Sequence, residues 1–246
     1  MLISFWEDEF ASYEKRLVAE IISPIQNKVG RLLLAPVIRN VLCQVTSRID
    51  FRFMMDRRRI FVANLSKGKL GDDQANFLGA ILITQFRLAS MSRANLSEQA
   101  RVPFNLVVDE FHNFTTDSFA TILAESRKYG LHLTLSHQHL AQLPSDLAAA
   151  VLGNVGTIIA FRTGEADAER LAREFGNDYR AGHFTDLANH EIRLKSQGDA
   201  AEPVFVRTLP PLPAKRKNGD TLIRRSREKY AAKRAVVEDK IARWLA

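Results

Sequence analysis

With 246 residues, of which 46% are hydrophobic, the chain is long enough to bury a substantial core as one large domain or two small ones. The single cysteine, Cys43, excludes an intramolecular disulfide framework and a cysteine-based zinc cluster. The formal net charge of +7 lies entirely in residues 214–246, which carry 11 Lys or Arg and 4 Asp or Glu, leaving 24 residues of each sign in residues 1–213.

The sequence contains no sign of a membrane or secretory segment. No apolar stretch approaches the roughly 20 residues that a membrane-spanning helix needs. Three acids near the amino terminus, Glu7, Asp8 and Glu9, are incompatible with a signal peptide. The chain is therefore expected to be cytoplasmic.

Helical spacing of the apolar residues predicts that residues 1–55 form a helical segment, in which Pro24 interrupts or restarts a helix. The pattern changes at residues 59–65, where a run rich in apolar residues predicts a strand. A glycine-containing loop follows, and a helix is expected over about residues 72–91, with its apolar side chains on one face.

The most informative run is residues 104–110, in which apolar residues end abruptly in two adjacent acids. Such a run predicts a parallel strand buried on both faces, because strands of that kind lose the alternation of apolar and polar residues. Asp109 and Glu110 would then lie at its carboxyl end, where open α/β sheets bind ligands. Taken alone, the two acids fit a metal-phosphate site and a helix cap or surface pair equally well.

Helices and strands continue to alternate after the acids, as expected of an α/β fold with a mainly parallel sheet and crossover helices. The predicted helices cover residues 117–129, 145–152 and 165–175, the predicted strands cover residues 131–135 and 156–161, and possible edge strands cover residues 191–195 and 203–208. If the strands lie side by side in one parallel sheet, four strand ends meet along one edge. They carry Ser66 with Lys67, Asp109 with Glu110, residues 136–138, and Arg162.

The residue types at these strand ends suit phosphate chemistry. An aspartate can hold Mg²⁺ through its water shell, because this ion needs only one or two carboxylates together with phosphate oxygens. Glu110 would orient or deprotonate an attacking water, and Gln138 would sense a γ-phosphate by hydrogen bonding. A guanidinium would stabilise the charge that develops on that phosphate.

Arg127 lies at the border of the apolar face of the predicted helix 117–129. It fits a helix-end cation, which is worth roughly 0.3 to 1 kcal/mol. It also fits an arginine finger that reaches the phosphate of a neighbouring subunit. Periodicity alone leaves both interpretations open.

The basic tail follows a proline-rich segment, residues 210–213, which should end the folded domain. Lys215, Arg216 and Lys217 come next, and a helix is expected over about residues 221–245. The tail fits a solvated basic helix, a helix that contacts the phosphate backbone of nucleic acid, or a partner-binding helix.

Several ordered motifs resemble one known family. They are residues 107–114 (VVDEFHNF), 125–130 (ESRKYG), 135–138 (LSHQ) with 142–143 (QL), 153–157 (GNVGT), 161–167 (FRTGEAD) and, before the acidic strand, 64–71 (NLSKGKLG). Together they look like the carboxyl-terminal half of the motor domain of type IV secretion and conjugative coupling-protein ATPases of the TraG/TraD kind, within the HerA/FtsK superfamily. The likeness extends over about residues 5–212.

The resemblance implies a RecA-like fold, ATP with Mg²⁺, a homo-oligomeric ring, and translocation of DNA toward the channel of a secretion system. By position, Asp109 resembles the Mg²⁺-coordinating acid of Walker B and Glu110 the catalytic glutamate. Arg127 matches the arginine finger and Gln138 the sensor glutamine. Arg162 would be a second phosphate contact, and Lys67 a contact to DNA or to a neighbouring subunit. Any association with the inner membrane would be made through partners.

One motif of the family is missing from the 246 residues: a phosphate-binding loop of the form G-x-x-x-x-G-K-S/T. Without that cradle of backbone amides and lysine, the chain alone is not expected to hydrolyse ATP. We expect a truncated or split product, for which an upstream polypeptide with a P-loop would complete the site. A subunit completed by another partner chain and a degenerate member of the family are the alternatives.

The expected domains are a helical segment (residues 1–55), the carboxyl-terminal half of a RecA-like ATPase core from Walker B onward (56–213) and a basic helical tail (214–246). Two functions remain open at this stage. The first is part of an ATPase motor, and the second is a non-catalytic module that binds DNA or a motor ring. The histidines at 132, 137 and 139 are not expected to bind zinc, and Cys43 with His112 is not expected to form a nucleophilic pair.

Overall fold

A computed structural model of the chain describes residues 2–115, 119–196, 202–213 and 218–245. The helices are α1 (Leu2–Ser4), α2 (Lys15–Leu34), α3 (Pro36–Leu42), α4 (Phe51–Asp56), α5 (Lys67–Leu70), α6 (Asp72–Met91), α7 (Phe119–Glu125), α8 (Ser145–Asn154), α9 (Glu165–Phe175), α10 (Gly182–Thr185), α11 (Gly219–Tyr230) and α12 (Arg234–Leu245). The strands are β1 (Phe104–Val108), β2 (Leu131–Leu135), β3 (Thr157–Ala160), β4 (Glu191–Ser196) and β5 (Val204–Arg207). Phe5–Glu9 form a π-helical turn, and short 3-10 turns cover Phe10–Ser12, Ser92–Asn95, Glu98–Ala100, Phe111–Phe114, Ser126–Tyr129 and Leu140–Gln142.

The chain divides into two compact units. The helical unit comprises residues 1–49, 64–78 and 219–246, and the core unit comprises residues 50–63 and 79–218. None of the described helices is both long and apolar enough to cross a bilayer. The predicted boundaries near residues 55 and 213 stay a prediction.

In the helical unit, α12 packs against α3. Val237 is buried, and Asn40 donates a hydrogen bond to Glu238 at 3.3 Å. The predicted single tail helix is two helices, α11 and α12, separated by residues 231–233. Pro24 does not interrupt α2, which runs through it, since the loss of one backbone donor can be tolerated inside a 20-residue helix.

In the core unit, β1 and β2 pair in parallel, with Phe104 opposite Leu131 and Val108 opposite Leu135. One face of β1 packs on a core formed with α7 and α8, through residues such as Val108, Ile122 and Val151. On the other face, Val107 is 69% exposed. The strand is therefore covered on one face within this chain, whereas the sequence predicted burial on both faces.

The remaining described strands form a second sheet, in which β3, β4 and β5 are antiparallel neighbours. Its core includes Ile158, Leu171, Phe175 and Phe184. The predicted edge strands are present as β4 and β5, and the predicted α/β class is confirmed. The single parallel sheet is not present among the described strands, because β3 pairs with β4 rather than with β2.

The strand predicted at residues 59–65 is also absent, because this segment has no regular secondary structure. Phe61 packs edge-on against Phe51 and Phe86, with ring centroids 5.9 and 5.5 Å away. Ile60 and Val62 are 93% and 84% exposed. The segment is apolar, as a strand would be, but a strand also needs a neighbouring strand with which its backbone can form hydrogen bonds.

Candidate functional site

The carboxyl ends of β1 and β2 bring Asp109 and Ser136 side by side. Backbone pairing continues past both strands, since the Ser136 amide donates to the Val108 carbonyl at 3.0 Å and the Phe111 amide to the Ser136 carbonyl at 3.0 Å. The Ser136 hydroxyl donates to Asp109 Oδ1 at 2.5 Å, and the Glu110 amide donates to the same oxygen at 3.1 Å. One oxygen of Asp109 is thus fixed by the fold, while the residue as a whole stays exposed.

Glu110 has a left-handed backbone conformation, with φ 49° and ψ 45°. This conformation is uncommon for a residue with a side chain, and it turns the chain sharply at the end of β1. Gln138 Nε2 donates to Glu110 Oε1 at 2.7 Å. Glu110 Oε2 is buried without a hydrogen-bond partner among the described residues, and it lies 3.4 Å from His112 Nδ1. The carboxylate is therefore held from one side by Gln138 and faces an imidazole on the other.

The loop after β2 carries Gln138 and is fixed on both sides. His137 packs edge-on against Phe111, with ring centroids 5.2 Å apart, and its burial lowers the pKa of its imidazole. Asp167 at the start of α9 accepts a hydrogen bond from the Leu140 amide at 2.9 Å. These contacts restrict the positions available to Gln138 and hence to the Glu110 carboxylate.

Arg127 lies in the 3-10 turn Ser126–Tyr129 that follows α7, and its side chain is exposed. The Gly130 amide, in a left-handed conformation with φ 73°, donates to the Arg127 carbonyl at 3.0 Å and closes the turn. Residues 116–118, where the helix was expected to begin, lie outside the described residues.

Two arginines that the sequence interpretation missed hold this turn. Arg93 is fully buried, pairs with Asp56 at 2.8 Å, and donates to the carbonyls of Val102 at 2.9 Å and Tyr129 at 3.4 Å. Arg101 donates to the Lys128 carbonyl. Neither role leaves a local signal, since each contact joins segments that are distant in sequence.

The structure brings together Asp109, Glu110 and Gln138, as the sequence predicted. It does not place Arg162 beside them through strand pairing, because Arg162 follows β3 in the antiparallel sheet, where it is exposed. Lys67 is not in a loop. It is the first residue of α5, in the helical unit, with its Nζ 3.9 Å from Asp72 Oδ1. The predicted nucleic-acid contacts Lys215, Arg216 and Lys217 lie outside the described residues.

Comparison with protein families gives one match. Residues 103–196 match the family described as the TraM recognition site of TraD and TraG. The matched segment contains the acids, Arg127, Gln138 and Arg162, and it covers both described sheets up to β4. A comparison with curated proteins found no match.

The solved structures to which the chain is similar include two of the coupling protein TrwB and one of a genome packaging NTPase. The unbound monoclinic form of the bacterial conjugative coupling protein TrwBdeltaN70 has 15% identity and a TM-score of 0.47 over 58% of this chain and 40% of that one. The plasmid coupling protein TrwB in complex with the non-hydrolysable GTP analogue GDPNP has 17% identity and a TM-score of 0.48 over 59% and 40%. The genome packaging NTPase B204 from Sulfolobus turreted icosahedral virus 2, in complex with AMPPCP, has 14% identity and a TM-score of 0.41 over 66% and 73%. The chain thus spans 40% of the length of the two TrwB structures.

Proposed function

We propose that the chain is part of the motor of a conjugative or type IV secretion coupling protein, because residues 103–196 match the family described as the TraM recognition site of TraD and TraG. In this proposal, the motor has a RecA-like fold and couples ATP hydrolysis to DNA translocation. The observation that carries the proposal is the cluster of Asp109, Glu110, Ser136 and Gln138 at the carboxyl ends of two parallel strands.

The donor set fits one half of a site for Mg²⁺ and ATP. Asp109 offers an exposed carboxylate that Ser136 orients, which suits an ion that needs one or two carboxylates and completes its shell with water and phosphate oxygens. Among the described residues, no group of three or more His, Cys, Asp or Glu is arranged to hold a metal by itself. When bound, Mg²⁺ would neutralise charge on the phosphate oxygens of ATP.

Glu110 is the residue that we propose to act on water. Its carboxylate is held at 2.7 Å by Gln138 and keeps a buried oxygen without a hydrogen-bond partner among the described residues. A carboxylate with an unused acceptor can orient a water molecule and take its proton, provided that the water lies within hydrogen-bond reach. In this structure Gln138 positions Glu110, and sensing of a γ-phosphate would require Gln138 to exchange that partner.

Arg127 would act across a subunit boundary. Its turn is fixed by the contacts of Arg93 and Arg101, while its own side chain is exposed. A rigid backbone with an exposed guanidinium is the arrangement that an arginine finger requires, and such fingers contribute about 10³ to 10⁵ in rate. This role presumes a homo-oligomeric ring. Arg162 is proposed as a further phosphate contact in the assembled ring, because strand pairing within this chain does not bring it to Asp109.

The phosphate-binding loop would come from outside these residues, for example from a complementing polypeptide, since none of the 246 residues form its motif. The exposed face of β1 supports this view, because parallel sheets are normally covered on both faces and Val107 is 69% exposed here. The secretion channel would be the further partner of the assembled motor.

The test is ATP hydrolysis by this chain alone and mixed with the polypeptide encoded upstream. We expect activity only in the mixture and a loss of at least about 100-fold with Glu110→Gln, since removal of a general base typically costs 10² to 10⁴. Glu169→Gln, an exposed carboxylate on α9, is the matched control and should keep full activity. Absence of activity from both samples would refute the motor assignment, and full activity of Glu110→Gln would refute the role of Glu110.

The alternative is a non-catalytic module that binds DNA or a motor ring, and α11 favours it. Arg224, Arg225, Arg227 and Lys229 are all exposed on this helix. Substituting these four residues with Gln should weaken DNA binding and flatten its dependence on salt, because fewer counterions would be released. Substitution is a cleaner test than deletion of residues 214–246, since Val237 of the tail is buried in the helical unit. DNA binding that survives unchanged would exclude α11 as the contact.

A further inference from the structure

The turn after α4 presents three consecutive arginines, Arg57, Arg58 and Arg59, all exposed. None of them forms an ion pair with a residue that the structure describes. Residues 1–213 together have no net charge, so this run is a local concentration of positive charge rather than part of a generally basic surface. Arginines in this state are suited to phosphate groups, which they bind through paired N–H donors.

The turn is held firmly although its side chains are free. The amides of Arg57 and Arg59 donate to the carbonyls of Phe53 and Met54 at 3.0 and 2.9 Å, and Met55 anchors the helix with no exposed surface. Arg58 has φ 50°, a left-handed conformation that costs an arginine about 1 to 2 kcal/mol. A glycine would remove that cost, so the arginine at this position is explained better by an interaction than by the fold.

An open cleft of about 520 Å³ adjoins Arg57, the first of the three arginines. Its lining includes Arg57 and the ring of Phe53, which is 48% exposed, together with the apolar side chains Leu96, Ala100 and Val102. The cleft is open to solvent, so a base could lie against the exposed face of Phe53 without being enclosed. An exposed aromatic ring beside free arginines is the combination that single-stranded nucleic acids use, with bases stacked on rings and phosphates on guanidinium groups.

The acids of the cleft are already engaged. Asp50 accepts a hydrogen bond from the Phe53 amide at 2.9 Å and caps α4. Asp56 pairs with Arg52 at 3.4 Å and with Arg93 at 2.8 Å. The two carboxylates, Asp50 and Asp56, are balanced in number by the guanidinium groups of Arg52 and Arg93, so the net charge left for a ligand is that of residues 57–59.

We propose that single-stranded nucleic acid binds at this cleft. Arg57, Arg58 and Arg59 contact consecutive phosphates, and Phe53 stacks on a base. The choice of a nucleic-acid partner rests on the proposed function, but binding here requires no nucleotide hydrolysis. The site is separate in sequence from Lys67 and from the tail.

The test is the anisotropy of a fluorescein-labelled oligothymidylate titrated with the full chain over a range of salt concentrations. The triple variant Arg57→Ala, Arg58→Gly, Arg59→Ala should bind at least about tenfold more weakly at low salt. The slope of log K against log salt should fall in magnitude by about 2, since each phosphate contact on a single strand contributes about 0.7. The control triple variant Arg173→Ala, Arg180→Ala, Arg207→Ala removes the same charge from exposed positions of the core unit and should keep the wild-type slope.

Phe53→Leu tests the stacking contact. It should weaken oligothymidylate binding about tenfold, and it should not change the binding of an abasic phosphate chain of the same length. Arg58→Gly alone should raise the thermal midpoint while weakening binding, a combination that a purely structural arginine would not give. Circular dichroism melting of each variant distinguishes lost contacts from lost folding.

Equal losses in the two triple variants, or equal binding of single-stranded and duplex DNA with no effect of Phe53→Leu, would overturn the proposal. Failure of the wild-type chain to bind the oligonucleotide would do the same. The assay contains no ATP, so binding that is insensitive to residues 57–59 would leave the proposed function intact. Conversely, binding at this site combined with absent hydrolysis would remove the motor assignment and keep the site.

Discussion

At the scale of single residues, the non-glycine side chains with left-handed backbone among those described are Arg58, Glu110 and His190. His190 has a structural explanation, because its carbonyl accepts a 2.7 Å hydrogen bond from the Thr208 amide beside β5. Arg58 and Glu110 each lie at a candidate site, one for phosphates of nucleic acid and one for hydrolysis. Each of these two positions therefore carries backbone strain that a glycine would relieve.

His137 gives a pH dependence that follows from its surroundings. Burial against Phe111 is the main cause of its lowered pKa, with the charge of His112 acting in the same direction. Hydrogen bonding with the His139 backbone and the charge of Asp167 act in the opposite direction.

We therefore expect the free energy of unfolding to fall as the pH drops through about 6.5. In this range His137 becomes protonated in the unfolded chain, while it stays neutral in the folded chain. The loss should level off once the pH lies below the pKa of the folded state. Urea titrations across this pH range should show a smaller loss in His137→Gln than in the wild type, while His132→Gln, an exposed position on β2, keeps the wild-type loss. An NMR titration that gives His137 a pKa above 6.5 would contradict the expectation.

Arg93 is the residue on which we expect the core unit to depend most. Arg93→Met leaves the carbonyls of Val102 and Tyr129 without their donor and removes one of the two cations from Asp56. A buried acceptor left without its donor costs about 1 to 3 kcal/mol, so losing two of them should lower the free energy of unfolding by about 2 to 5 kcal/mol, measured by urea unfolding. Arg16→Met breaks a pair whose side chains are 89% and 64% exposed, and it should cost no more than about 1 kcal/mol. Equal costs for the two substitutions would show that the Arg93 network is not a stabilising one.

At the scale of elements, α6 contains a glycine that the packing requires. A Cβ on Gly79 would lie 2.2 Å from Cδ1 of Phe114, which belongs to the turn after the candidate acids. Alanine is intrinsically better than glycine in a helix by about 1 kcal/mol, but an overlap of this size forces the ring to move. Helix propensity therefore predicts that Gly79→Ala raises the free energy of unfolding, whereas packing predicts that it lowers it.

We expect Gly79→Ala to lower the free energy of unfolding by about 1 to 3 kcal/mol. Gly153→Ala, on α8 with open space around it, should be neutral or stabilising by up to about 1 kcal/mol. Adding Phe114→Leu to Gly79→Ala should recover part of the loss, and a double-mutant cycle in urea measures that coupling. A stabilising Gly79→Ala would show that Phe114 rearranges at no cost.

The elements also show how far sequence patterns reach. The run before Asp109 predicted β1 and the position of the acids correctly, because the apolar residues and the acids that follow them are adjacent in the sequence. The pairing of β3 with β4, and the lack of a ladder at residues 59–65, depend on which segments meet in space. For the same reason Gln138 was predicted to lie near Glu110, while the clamp of Arg93 and Arg101 on the Arg127 turn was not.

At the scale of the whole molecule, large apolar side chains are exposed in the core unit on β1 and on residues 59–65. Val107, Ile60 and Val62 are 69%, 93% and 84% exposed. Under the proposed function, the polypeptide that supplies the phosphate-binding loop would cover these segments. A partner that binds only the folded chain must then stabilise it by mass action.

Binding of this partner should therefore raise the stability of the chain. At a partner concentration 100 times its Kd, the free energy of unfolding should rise by about 2.7 kcal/mol, and amide exchange should slow in β1 and in residues 60–65. Val107→Ser should reduce this gain while changing the free chain little, because Val107 is already 69% exposed. Val204→Ser, on β5 and 45% exposed, is the matched control and should keep the full gain. Binding to the native state alone must raise its stability. A thermal midpoint that stays constant at saturating partner would therefore show that the partner does not bind the exposed apolar segments of the folded chain.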